Sequence, residues 1–195
     1  MGRTASCCPV DRDLSIVTCR SWQHRSVRFH TEHRFTGSPA DIGAILVDPM
    51  FYLDLALADL GRPELLDQEA DGDLVTVRLR YEFTGSLDPI AQRLIGSGRL
   101  AWIQEVRLSR SAGTGSLRFE AEKDPRRLHG AAEFVLTAEA AGTLRRIDGE
   151  LVVAVPGIGR MAERRIVPGV LRRMDVEAEA IERRLSSGGC LSSGT

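Results

Sequence analysis

From Val27 to Phe35 the chain alternates, with Val27, Phe29, Thr31, His33 and Phe35 on one face and Arg28, His30, Glu32 and Arg34 on the other. That two-residue period predicts a half-buried strand. Ser38-Pro39-Ala40-Asp41 then offers a helix cap, a proline pre-set for the first turn and an acidic residue three positions on, so a short helix to about Val47 is expected. Asp48-Pro49 repeats the device for a second helix, Met50 to Leu60, closed by Gly61. Asp71-Gly72 reads as a tight turn between a polar incoming strand, about Glu64 to Ala70, and a cleanly alternating one, Val75 to Phe83. The polar strand suits an edge.

Residues 84–98 break the alternation. Asp88-Pro89 is a third capped start, and Ile90, Ala91, Leu94 and Ile95 give a small apolar face before Gly96-Ser97-Gly98. This segment reads either as a flap over an opening or as a connection packed on the rim. Four further strands are expected over about 99–109, 115–123, 130–140 and 142–155, separated by Gly113, Asp124-Pro125 and Gly142. Trp102, Gln104, Val106 and Leu108 share one face of the first, Leu117, Phe119 and Ala121 of the second, and Ala132, Phe134, Leu136 and Ala138 of the third. Ile147, Gly149, Leu151, Val153 and Val155 share a face of the fourth.

Pro156 ends that last strand, because it has no N–H to give to a ladder. Beyond Gly159, Val167, Val170, Leu171, Met174, Ala178, Ile181 and Leu185 form a stripe at helical spacing, with Arg172, Arg173, Asp175, Glu177, Glu182 and Arg183 falling mostly on the opposite side. A helix of roughly 26 residues would extend about 39 Å, enough to cross a sheet. Pro168 costs about 3 kcal/mol in a regular helix interior, so the pattern predicts either a fresh start there or a kink. The pieces assemble into an α+β fold, a curved antiparallel sheet of about seven strands around a long C-terminal helix. Met161 and Met174 are expected in its core.

Composition narrows the class. The chain has 195 residues, 43% hydrophobic and 27% charged, which fits one globular domain. No apolar run approaches the ~20 residues of a membrane span, so stable insertion is not expected. A net charge of −1 argues against nonspecific nucleic-acid binding. Lys123 is the only lysine and there is no asparagine, the mark of a high-GC genome, and the five Arg-Arg pairs read as solvated faces in an arginine-biased chain. Cys7, Cys8, Cys19 and Cys190 lie outside the core segments at spacings that fit no zinc pattern, so free thiols in a reducing cytoplasm, and no metal, are expected. The start lacks an apolar signal segment and carries only a loose match to a myristoylation pattern. Residues 1–26 are expected as a flexible extension, 27–185 as the domain and 186–195 as a tail.

The order of elements, with FTGSPADIGAILVDPMFY early and VAVPGIGRMAERRIVPGVLRRM late, resembles the START-like (SRPBCC) superfamily and its helix-grip fold. Within it the chain is most similar to domain-of-unknown-function family 2505, common in actinobacteria; the likeness covers about residues 27–185. The resemblance implies a mainly apolar cavity between sheet and helix that takes lipids, sterols, polyketides or similar molecules, and implies no shared catalytic residues.

On that reading the lining candidates are Thr31, His33, Val77, Leu79, Tyr81, Trp102, Gln104, Phe119, Phe134, Leu151, Val170 and Met174. Thr31, His33, Tyr81, Trp102 and Gln104 would supply the polar groups that set specificity. Each has a structural alternative: His33 reaching solvent, Tyr81 and Trp102 packing in the wall, Gln104 paired with a neighbour or water. Three functions remain: a carrier of a hydrophobic small molecule, a cyclase- or hydrolase-like enzyme, and a scaffold that binds a protein through an apolar patch. The one acid–base pair the pattern offers is His33 with Tyr81. There is no G-x-S-x-G, H-E-x-x-H, inward carboxylate pair or phosphate loop, and Gly157-Ile158-Gly159 follows the last strand of an antiparallel sheet, so no cofactor is expected.

Overall fold

Alternating segments can bury one face only by sharing it, and here they share it in one antiparallel sheet. The computed structural model describes residues 26–85, 99–154 and 159–188. The expected short helix after Asp88, the Pro156 stop, the cysteines and both expected terminal segments fall wholly or largely outside that set. The strands are β1 (Val27–Phe35), β2 (Glu64–Asp71), β3 (Leu74–Glu82), β4 (Ala101–Ser109), β5 (Thr114–Ala121), β6 (Leu128–Glu139) and β7 (Gly142–Val153). Their spatial order, β1-β7-β6-β5-β4-β3-β2, makes a meander of the last six with β1 added beside β7. The helices are α1 (Pro39–Leu46), α2 (Pro49–Asp54) and α3 (Gly159–Gly188). None is long and apolar enough to cross a membrane.

Register turns the alternation into continuous inward rows. One row runs Leu79, Gln104, Phe119, Gly130, Leu151; the next runs Val77, Val106, Leu117, Ala132, Gly149, Phe29; a third runs Val75, Leu108, Gly115, Phe134, Ile147, Thr31. In each row an aromatic ring faces a glycine on the next strand. A Cβ on Gly130 would come within 2.3 Å of the Phe119 ring, one on Gly115 within 2.3 Å of Phe134, and one on Gly149 within 2.4 Å of Phe29. The rings lie down over neighbouring backbone because no side chain holds them off, which keeps the inner face low where α3 approaches.

Both early helices start as the sequence reads. Ser38 and Asp41 complete a capping box, and Asp48 accepts a bond from the Met50 N–H at 2.9 Å. α2 is shorter than expected and stops at Asp54. Leu55 turns into extended backbone, Arg62 bonds the Leu53 carbonyl, and Leu60 is drawn into a bridge with Phe83 at the end of β3. The β2–β3 turn sits one residue later than expected, at Gly72-Asp73, because Asp71 pairs with Leu74. Gly72 takes φ +57°, and the Asp73 carboxylate accepts bonds from Ser109 and Ser111, tying this turn to the next. β2 is an exposed edge, as expected.

α3 resolves the alternatives at Pro168: the helix runs through it. Pro168 and Gly169 are solvent-facing, where water can take the carbonyl bond that proline gives up. Ala162, Met174, Ala178 and Ile181 are buried against the sheet, so the helix packs on the apolar side. Its far end is pinned at the β1–α1 corner, where Glu182 accepts from Thr36, Arg184 pairs with Asp48, and Leu185 packs on Gly37.

Gly115→Ala should cost about 1–3 kcal/mol in urea unfolding, because the added Cβ would meet the Arg107 carbonyl at 2.3 Å as well as Phe134. A variant as stable as the wild type would show that the β4–β6 spacing is not set by this contact.

Candidate functional site

The interior is not uniformly apolar. Thr143, Arg145 and Ile147 share the inward parity of β7, so Arg145 is carried inside with the core and is 1% exposed. On α3, Arg173, Glu177 and Ile181 are spaced by four and fall on one face. Glu177, 5% exposed, meets Arg145 at 2.7 Å, an ion pair inside the sheet–helix interface. The Arg145 guanidinium also lies 5.4 Å from the Phe35 ring and bonds His33 Nδ1 at 3.3 Å.

That contact fixes the histidine. Arginine can only donate, so Nδ1 of His33 must accept and the ring proton sits on Nε2, which donates to Asp175 at 3.1 Å. Burial, and next the Arg145 charge, hold the His33 pKa below its ordinary 6.5 despite the bond to Asp175. Glu177, Arg145, His33 and Asp175 thus form one chain leading from the interior to solvent, where Asp175 is 60% exposed.

One turn before Glu177, Arg173 reaches across the interior to β3. Its guanidinium carbon lies 4.2 Å from the centre of the Tyr81 ring, which stacks at 5.5 Å on Trp102 of β4. Arg173 Nε and Nη2 and the Tyr81 hydroxyl are all buried without a hydrogen-bond partner. Burial raises the Tyr81 pKa, and Arg173 offsets part of that rise. Gln104 is buried in the adjacent row and makes no side-chain hydrogen bond among the described residues. Further along α3, buried Glu163 accepts the Val153 N–H at 3.1 Å, closing the end of β7.

The twelve residues expected to line a cavity lie on the inward faces of the sheet and α3, in three groups. Val77, Leu79, Phe134 and Leu151 are sealed in the core, with Met174 close behind. Thr31, Trp102, Phe119 and Val170 are half-buried on the inner side. Tyr81 and Gln104 are the buried polar groups of one region, and His33 belongs to the other. His33 and Tyr81 do not form the expected pair, since both His33 nitrogens are engaged by Asp175 and Arg145.

Three expectations are corrected. Arg173 and Glu177 lie on the buried side of α3, and the Arg-Arg pairs at 145–146 and 172–173 are not simply solvated faces. In each, one member turns inward: Arg145, fully buried, by strand parity, and Arg173, half-buried, by its spacing from Glu177 and Ile181. Parity with Ile147 was the available signal for Arg145. Met161, expected in the core, is 51% exposed. Among the described residues, no three His, Cys, Asp or Glu side chains converge to hold a metal. Leu65, Leu66 and Leu74 are the exposed apolar residues near the β2 edge.

A family model described as "Protein of unknown function (DUF2505)" matches residues 30–185. No curated protein matches by sequence. Among solved structures, the protein TTHA0849 from Thermus thermophilus is similar at 13% identity and TM-score 0.57, covering 83% of this chain and 99% of that one. The Zhui aromatase/cyclase from Streptomyces sp. R1128 is similar at 15% identity and TM-score 0.56, covering 88% and 99%. A START superfamily protein from Mycobacterium smegmatis is similar at 17% identity and TM-score 0.50, covering 83% and 97%.

Arg145→Met should destabilise by about 3–5 kcal/mol, because it strands Glu177 in the interior, whereas Arg145→Met with Glu177→Leu should recover most of the loss. Additive losses in urea titrations would show that the two side chains are not coupled. A second expectation concerns acid. His33 binds its proton less readily folded than unfolded, so its contribution is intact above about pH 6.5 and is lost as pH falls toward the depressed folded pKa. The stability of His33→Asn should therefore fall less than that of wild type on acidification below pH 6.5, and parallel curves would contradict the assignment.

Proposed function

The chain belongs to the DUF2505 family and has the helix-grip fold of the START-like superfamily, and from that premise we propose that it binds a hydrophobic small molecule between the inner face of the sheet and α3. The observation that carries the reading is the uneven sealing of the interior. Around α1, α2 and the second half of α3 the inward side chains Ile42, Leu46, Phe51, Tyr52, Ala178 and Ile181 are buried, as in an ordinary core, with Ile45, Ala180 and Leu185 packed at its margin. Trp102 on β4, Leu117 and Phe119 on β5, and Ile166, Val167 and Val170 on the first half of α3 all point inward yet stay half-buried. An inward apolar wall with incomplete cover is a surface that an apolar guest would complete, gaining roughly 25 cal/mol for each Å² removed from water. The buried polar atoms at one end of that wall would orient the guest.

The Streptomyces neighbour is an aromatase/cyclase, and an enzyme acting in the same space is the competing reading. The acid–base partner it needs is not supplied by His33, whose nitrogens are both occupied, and carrier is the reading that the side chains favour.

The test is solvent extraction and native mass spectrometry of the purified protein, together with titration by the neutral dye Nile red. A co-purifying hydrophobic molecule or saturable dye binding is expected. Val170→Trp, which fills the space beside the half-buried wall, should weaken dye binding at least tenfold while leaving the far-ultraviolet circular dichroism unchanged. Neither extractable molecule nor dye binding, or dye binding untouched by Val170→Trp, would contradict the reading.

A further inference from the structure

We infer that the molecule bound is a monoanion, an apolar body ending in a carboxylate, and that Arg173 receives the carboxylate with the Tyr81 hydroxyl beside it. The inference rests on the carrier reading and narrows it to a ligand class.

It follows from a count of charges inside. Arg145 is answered by Glu177 at 2.7 Å. Arg173, one turn earlier on the same face, has no carboxylate within ion-pair distance among the described residues, and its Nε and Nη2 are buried without an acceptor. A guanidinium cannot escape by losing its proton, as a lysine or histidine can. The Tyr81 ring face compensates part of the charge and none of the N–H donors. Glu163, the next buried carboxylate along α3, is ten residues away, about 15 Å of helix, and is engaged at the end of β7. Around Tyr81 the inner face therefore carries one positive charge and three polar atoms without partners, two on Arg173 and one on Tyr81; Arg145 Nε and Glu163 Oε2, elsewhere along the seam, are also buried without partners.

A carboxylate matches this set. The planar fork of an arginine bonds both oxygens of a carboxylate at once, and the Tyr81 O–H can donate a further bond to one of them. One unpaired guanidinium carries one positive charge, so a single negative charge matches it better than the double charge of a phosphate monoester. The apolar remainder of the ligand would run from the Trp102–Tyr81 stack over Leu117 and Phe119 toward Val170. In the absence of ligand the same arrangement is a liability, because an unpaired buried charge is costly to keep.

That last point separates a ligand role from a purely structural one. Dodecanoic acid and dodecan-1-ol, of equal chain length, are titrated by calorimetry at neutral pH into wild type, Arg173→Met, Arg173→Lys and Tyr81→Phe, and each protein is melted alone and with the acid. The expected result is binding of the acid at least tenfold tighter than the alcohol in wild type, a preference abolished in Arg173→Met and reduced in Arg173→Lys and Tyr81→Phe. Without ligand, Arg173→Met should melt no lower than wild type. Equal affinity for acid and alcohol would overturn the inference and leave the carrier reading standing, whereas binding of neither would overturn both. A melting temperature that falls in Arg173→Met, with the preference for acid intact in Arg173→Lys and Tyr81→Phe, would make Arg173 a structural strut and overturn the assignment.

Discussion

A guanidinium taken out of water must find an anion, an aromatic face or hydrogen-bond acceptors, and this protein carries two of them into the space between its sheet and its long helix. Arg145 finds Glu177 and the ring of Phe35; Arg173 finds the ring of Tyr81. The contacts of Arg145 set where α3 can lie. Its second half is drawn to β1 and β7 by the Arg145–Glu177 pair and by the apolar packing of Ala178 and Ile181, while the corner contacts at Thr36 and Asp48 hold its end. Its first half has no comparable clamp on β4 and β5, and there the inner wall stays incompletely covered. The asymmetry between a locked half and a loosely covered half is the physical basis of the binding proposed above.

The glycines opposite Phe29, Phe119 and Phe134 serve the same geometry. Rings laid over bare backbone lower the floor beneath the helix without removing aromatic surface from it. A larger residue at any of these glycines would lift a ring toward α3, so the spacing between layers depends on residues that contribute no side chain.

The elements were legible because the alternation is clean: Val75 to Tyr81 and Ala132 to Leu136 read as strands with an inside and an outside, and the Ser38-Pro39 and Asp48-Pro49 starts read as helix caps. The end of α2 was not legible, because Leu55 to Leu60 keeps helical-looking residues while tertiary contacts with β3 and Arg62 pull it into extended chain. The apolar lining was legible from parity alone. The charged seam was missed for a different reason. Arginines and glutamates on an amphipathic helix are usually solvated, and only the partner across the gap, Arg145 for Glu177 and Tyr81 for Arg173, makes an inward position tolerable. A sequence shows parity on each element but not which elements face one another.

Placed together, the fold, the uneven cover of the inner face and the unanswered charge of Arg173 support the proposed reading of a container with a polarised interior. Glu177, Arg145, His33 and Asp175 form a chain in which Arg145 answers Glu177 and a neutral His33 joins Arg145 to the solvated Asp175, and Arg173 stands outside it. The most direct test of that account is carbon NMR of carboxyl-labelled dodecanoic acid bound to the protein, followed as pH is lowered. A carboxylate held by Arg173 should stay ionised to a pH below that at which the free acid titrates, because the adjacent positive charge favours its charged form. A bound carboxyl that titrates with the free acid, or at higher pH as burial alone would dictate, would contradict the account.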